Sequence, residues 1–222
     1  MKQQQPLIAL KNVGIKYKRR GKFKKKAFWA LQNIDLEIYK GETLGIIGHN
    51  GAGKSTLLKV IANLMAPDEG EHIRNTNMRA GILALKAGFT SSLSGRDNIM
   101  LSAMFLGVSK AYIQSKKDDI IKLSGIEEFI DNPVNSYSTG MTARLGFSIA
   151  YHCAPDILLL DEILGVGDAE FKKLSKKLIV EMVHSNKTIV LVSHDEKIIK
   201  ELCTRVIRLN KGHQIASAQQ EA

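Results

Sequence analysis

The chain has 222 residues and 44% hydrophobic content, enough for one domain, or a domain with a subdomain, around a sizeable core. Its formal net charge of +10 is local: eight of the eleven residues of KYKRRGKFKKK, Lys16 to Lys26, are basic, and the remainder carries 24 basic against 22 acidic residues. Two cysteines, Cys153 and Cys203, without CxxC spacing set zinc and dithiol redox work aside, and no apolar run approaches the roughly 18 to 20 residues of a membrane span.

The start, MKQQQPLIAL, contains no signal-peptide apolar core, so work at a membrane is expected to be that of a peripheral subunit. Leu7 to Tyr17 alternates as a strand. A basic insertion at about residues 18–28 follows, expected as a hairpin or short helical excursion from the sheet. Such a run suits an anionic membrane surface or the diphosphate of a lipid carrier; a solvated face that only aids solubility is the plain alternative. Phe28 and Trp29 suit either an interfacial anchor or packing under the sheet.

Ile34 to Ile38 and Thr43 to Ile47 read as strands, and the second runs into GHNGAGKST, Gly48 to Thr56, and a helix from Lys54 to Met65. This is the phosphate loop pattern GxxxxGK[ST] in the strand, loop, helix context that it requires. Gly48, Gly51 and Gly53 let the backbone curl so that its N–H groups, those of Asn50 and Thr56 included, and the helix N-terminus surround a polyphosphate. Lys54 then reaches the β- and γ-phosphates, and Ser55 offers its hydroxyl to Mg²⁺.

A strand at Ala80 to Leu85 precedes a nearly all-helical stretch, about 88–153, with helices at Gly95 to Leu106, Lys110 to Ser124 and Thr139 to Cys153. This stretch is expected to form a separate lobe beside a core of 1–87 and 154–222. The apolar strand Ile157 to Leu160 ends in Asp161 and Glu162, where α/β sheets bind ligands. Asp161 would help hold Mg²⁺ and Glu162 would polarise the water that attacks a γ-phosphate; a solvated pair of loop carboxylates is the alternative. A helix at Ala169 to His184 leads to the strand Thr188 to Val192, whose edge carries His194, a γ-phosphate sensor or a plain surface residue. A helix at Glu196 to Cys203 and strands at Arg205 to Leu209 and His213 to Ala216 complete an α/β alternation with a mainly parallel core sheet.

In order, spacing and context these residues resemble the nucleotide-binding subunit of ABC transporters, over nearly the whole chain. GHNGAGKST matches Walker A, ILLLDE (Ile157 to Glu162) Walker B, GVGD (Gly165 to Asp168) the D-loop and His194 the switch histidine. YSTGM, Tyr137 to Met141, stands where LSGGQ belongs. The resemblance implies a P-loop NTPase (RecA-like) core sheet with an ABC-type helical subdomain, ATP and Mg²⁺ as cofactors, and ATP hydrolysis with Lys54, Glu162 and His194 as catalytic residues. It implies a homodimer that sandwiches two ATP molecules head to tail. Ser138 and the Gly140 N–H would contact the γ-phosphate held by the other copy, with Asp168 in the same nucleotide site. Tyr17 would stack on adenine, although it equally suits the core.

Thr139 and Met141 replace the second Gly and the Gln of LSGGQ. No Gln occurs between Gln32 and Gln114, so the loop near Leu85 lacks the glutamine that usually makes its metal and coupling contacts. FWAL (Phe28 to Leu31), LALKAGF (Leu83 to Phe89), YSTGM and VGDAEF (Val166 to Phe171) look like the branch that exports O-antigen, capsule and teichoic acid. That implies an export ATPase on the cytoplasmic face of the inner membrane, driving a polysaccharide, lipid-linked in the usual case, through a separate transmembrane permease. No C-terminal carbohydrate-binding domain is expected in this chain. The alternatives are a soluble ABC-type ATPase acting on nucleic acid and a P-loop kinase. Nucleic acid is not expected as a partner, because the basic run has few stacking aromatics and no base-reading element.

Overall fold

The computed structural model describes residues 5–19, 26–75, 78–83, 88–161, 168–193 and 196–215. In chain order the elements are β1 (Ile8–Arg19), β2 (Lys26–Ile38), β3 (Thr43–Ile47), α1 (Lys54–Ile61), β4 (Glu69–Arg74), β5 (Ala80–Ile82), α2 (Gly95–Phe105), α3 (Lys110–Ser124), α4 (Thr139–His152), β6 (Ile157–Asp161), α5 (Ala169–His184), β7 (Thr188–Val192), α6 (Glu196–Leu202), β8 (Arg205–Asn210) and β9 (His213–Ile215). They form two compact units: Met1–Ile82, Asp156–Glu162 and Met182–Ala222 make one, Leu83–Pro155 and Ile163–Glu181 the other. Among the described residues, no helix is long and apolar enough to cross a membrane.

The first unit contains two sheets. An antiparallel sheet of order β2-β1-β4 buries Ile8, Leu10, Val13 and Ile15 of β1 against Leu31, Ile34, Leu36 and Ile38 of β2. Its register shifts near Asn12 and Asn33, which hold φ of 51° and 50°, a left-handed backbone that Asn tolerates better than most side chains. The Asn12 N–H finds its partner in Asp35 Oδ1 at 2.8 Å.

β2 begins eight residues before the expected Ile34, so Phe28 to Leu31 lie inside the strand. Pairing with β1 builds this half, from Ile15↔Leu31 to Arg19↔Lys26, while Ala27 and Phe28 stay exposed. The basic run therefore starts and ends as paired strand; residues 20–25 lie outside the described residues. β4, with the sequence EGEHIR, was not expected as a strand at all: it has no apolar alternation and forms because β1 supplies hydrogen bonds along the sheet edge.

The second sheet has the order β5-β6-β7-β3-β8-β9, parallel from β5 to β8 and antiparallel at β9. β3, β6 and β7 are apolar runs buried almost throughout, as strands covered on both faces must be. β7 stands between the phosphate-loop strand β3 and the carboxylate strand β6. Its Val192 pairs with both Ile46 and Asp161, so β3, β6 and β7 end along one edge of the sheet.

α1 stops at Ile61, short of the expected Met65. Asn63, at φ 58°, takes the left-handed place that Gly usually fills: its N–H bonds Val60 O and the Leu64 N–H bonds Lys59 O, both at 2.9 Å, which turns the chain out of the helix.

In the second unit Ile99, Ala103, Ile113, Ile120, Leu145 and Ile149 form a buried apolar centre between α2, α3 and α4. Each of these helices starts on a serine whose hydroxyl accepts a backbone N–H: Ser94 from Asp97, Ser109 from Tyr112 and Ser138 from Met141. Asn98, fully buried, ties the segment before α2 together, donating to the carbonyls of Thr90, Leu93 and Ser94 and accepting the Thr90 N–H.

Candidate functional site

The loop after β3 folds as its glycines allow. Gly53, at φ 108°, is the residue before α1, and a Cβ there would meet Ala30 O at 2.7 Å and Leu31 Cδ2 at 2.8 Å. Only glycine joins this loop to the helix without moving β2. Lys54 opens α1 nearly buried, with its Nζ donating to Gly48 O at 2.8 Å and His49 O at 3.2 Å. The ammonium is thus held over the loop by the loop's own carbonyls.

Ser55 Oγ donates to Asp161 Oδ2 at 3.0 Å across 106 residues of sequence. The two expected metal-binding oxygens therefore meet at the edge where β3 and β6 end. Among the described residues no group of three or more His, Cys, Asp or Glu forms a metal cage. One hydroxyl and one carboxylate match Mg²⁺, a hard cation that keeps several waters and takes phosphate oxygens rather than an all-protein shell.

A cavity of about 750 Å³ opens above this edge. Asn50, Gly51, Gly53, Lys54, Ser55, Thr56 and Asp161 line its polar end. Its other end is aromatic: Tyr17 and Phe28, opposed across β1 and β2, stack with centroids 5.8 Å apart and planes 28° from parallel. Tyr17 lines the cavity, packs against the core and donates its hydroxyl to Met65 Sδ at 3.7 Å. Phe28, 52% exposed, lines the cavity beside it. Trp29 also reaches the cavity and lies under the Lys16 ammonium, 5.0 Å from its ring centre.

Lys211 and Gly212, from the turn between β8 and β9, complete the wall, and neither was expected from sequence. Nothing local marks them: they stand about 160 residues after the phosphate loop, and only the β3–β8 pairing brings them to it. Phe28 was legible in principle, since its register opposite Tyr17 follows once β1 and β2 pair.

Ser138, Gly140 and Asp168 belong to the second unit. Ser138 caps α4, accepting the Met141 N–H at 3.1 Å, and Gly140 lies in that helix's first turn. Asp168 Oδ1 accepts the Phe171 N–H at 3.0 Å at the start of α5, and Oδ2 pairs with Arg144 of α4. The Phe171 N–H and then the Arg144 guanidinium hold the Asp168 carboxyl below the usual carboxylate range. Glu162 and His194, expected as catalytic residues, lie outside the described residues, as does Leu85 of the expected glutamine loop.

The sequence profile of the ABC transporter family matches residues 31–165. The chain belongs to this family. It is 50% identical over 187 residues to the teichoic acids export ATP-binding protein TagH of Lactococcus lactis subsp. lactis, covering 84% of the chain and 40% of that relative. Identity is 44% over 184 residues to the O-antigen export system ATP-binding protein RfbB of Myxococcus xanthus, covering 83% of the chain and 42% of the relative. To RfbE of Yersinia enterocolitica, of the same description, it is 42% over 183 residues, covering 82% and 76%. The chain spans 40% to 59% of the length of the teichoic acid export relatives it matches here. Among solved structures it resembles the dimeric bacterial ABC transporter cassette MJ0796, with a TM-score of 0.77 at 25% identity over 97% of this chain and 99% of that one. The P-loop NTPase sheet and the helical unit of the ABC family are thus both present.

Proposed function

We propose that the chain is the ATP-hydrolysing subunit of an exporter that drives a lipid-linked polysaccharide across the cytoplasmic membrane through a separate transmembrane subunit. The names of its relatives, exporters of teichoic acid and O-antigen, support this reading over an ATPase acting on nucleic acid. The observation that carries the chemistry is the Ser55–Asp161 contact at the polar end of a cavity whose other end is aromatic.

ATP would lie with its base against Tyr17 and its phosphates over residues Gly48 to Thr56. Backbone N–H groups and the α1 N-terminus neutralise the polyphosphate, and Lys54 donates to the β- and γ-phosphates. Ser55 and Asp161 would hold Mg²⁺, which supplies charge compensation for the leaving diphosphate. Glu162, next to Asp161, orients and polarises the attacking water, and His194 senses the γ-phosphate. Ser138 and the Gly140 N–H act on the nucleotide of a second copy, so that binding closes a homodimer and hydrolysis reopens it. Asp168, already paired with Arg144, shapes the segment beside that contact.

The subunit would sit peripherally on the cytoplasmic face, with the Lys and Arg side chains of the basic run reaching the anionic leaflet or the carrier diphosphate at about 1 kcal/mol per engaged Lys or Arg. Co-reconstituting the chain with its transmembrane partner in anionic vesicles tests the proposal. MgATP should drive inward movement of lipid-linked polysaccharide, and Lys54→Ala should abolish both hydrolysis and transport. Hydrolysis that neither drives nor responds to the polymer would refute the export reading.

A further inference from the structure

Lys211 breaks a local rule. β8 and β9 pair as far as Asn210↔His213, so Lys211 and Gly212 alone form the hairpin loop, with φ of 47° and 83°. A two-residue loop with both φ positive favours Asn-Gly, Asp-Gly or Gly-Gly, because side chains other than Asn and Asp rarely adopt the left-handed backbone. Here a lysine holds that place. A strained residue kept where an easier one fits points to a task for its side chain.

The turn's surroundings indicate that task. It is fastened to the phosphate loop: the Gly212 N–H donates to Ala52 O at 3.0 Å, and Asn210 Oδ1 meets His49 Nε2 at 3.0 Å. Its other side is fastened to β2, where the Gln32 N–H donates to Gly212 O at 2.8 Å. Lys211 is exposed, lines the same cavity as Lys54, Ser55 and Tyr17, and forms no ion pair among the described residues. Lys211 therefore adds a second lysine to the lining of this cavity, on a turn hydrogen-bonded to the phosphate loop.

We propose that Lys211 is a further nucleotide-binding residue, its ammonium contacting the polyphosphate of the bound nucleotide from the β8–β9 turn. The proposal rests on the reading of the cavity as an ATP site. An ammonium carries a positive charge on three donors, so anionic phosphate oxygens are stronger partners for it than the neutral acceptor nitrogens of a base.

The test is titration calorimetry of MgADP and MgATP with wild type, Lys211→Asn, Lys211→Arg and Lys54→Ala, with a thermal midpoint for each. Asn fits the turn at least as well as Lys, so Lys211→Asn should keep or raise the midpoint. It should nevertheless weaken both nucleotides about tenfold, the scale of one charge-assisted hydrogen bond. Lys211→Arg should retain most of the affinity, and the loss in Lys211→Asn should shrink at about 1 M salt, where charges are screened within about 3 Å. Unchanged affinity in Lys211→Asn, or an equal loss in Lys211→Arg, overturns the contact while leaving the ATP site standing. A wild-type chain that binds neither nucleotide, indistinguishable from Lys54→Ala, overturns the site reading itself.

Discussion

Replacing Gly53 by Ala tests whether the phosphate loop is shaped by packing as well as by backbone freedom. At φ 108° the residue sits in a region that an L side chain enters at about 1–2 kcal/mol. The new Cβ would also lie 2.7 Å from Ala30 O and 2.8 Å from Leu31 Cδ2, contacts closer than real Cβ atoms show. The first of these is backbone and cannot rotate away, so β2 or the start of α1 must move, at about 1–3 kcal/mol. The sum is about 2–5 kcal/mol, or roughly 4–20 °C in thermal midpoint for a chain of this size. Gly51→Ala is the internal control: its φ is 80°, but nothing lies within 4 Å of its added Cβ, so it bears only the backbone term and about 2–8 °C. Scanning calorimetry of both variants reads the difference. Gly53→Ala should also lose MgADP affinity, because Lys54 and Ser55 follow it directly. Equal midpoints for the two variants would refute the packing argument.

Asp161→Asn should weaken MgATP about tenfold yet leave metal-free ATP binding nearly unchanged, because the variant removes the carboxylate charge offered to Mg²⁺ and keeps the shape; calorimetry with and without chelator checks this. Mixing Ser138→Arg with Lys54→Ala chains should restore part of the ATP occlusion that each lacks alone, since a head-to-tail heterodimer has one intact site; no gain in mixtures with proven heterodimers would count against the arrangement. Cys203, buried behind β3 and pushed up to about 12 by desolvation, should resist alkylation at pH 8 in the native chain and react at once in denaturant, as mass spectrometry would show.

What sequence disclosed was local chemistry. The phosphate loop was readable because strand, glycines and helix are contiguous, and α1 indeed begins at Lys54. Asp161 was readable as a strand end because the short apolar run ILLL suits a strand covered on both faces, and β6 runs from Ile157 to Asp161. What pairing imposes was hidden. EGEHIR becomes a strand through β1, and the first half of β2 follows the basic strand opposite it rather than its own burial. The end of α1 turned on the backbone of Asn63, which a count of apolar positions overlooks. Lys211 had no signal because its meaning depends on a turn conformation and on a strand neighbour far away in sequence.

In the proposed cycle two copies of this chain close on ATP and open on hydrolysis. Size-exclusion chromatography with light scattering on Glu162→Gln tests it most directly, since that variant should bind MgATP without consuming it. With MgATP the 24.5 kDa chain should shift to the mass of a dimer and hold stoichiometric unhydrolysed nucleotide, and with MgADP it should remain a monomer. A variant that stays monomeric with MgATP bound, or that hydrolyses ATP at the parental rate, would contradict the account.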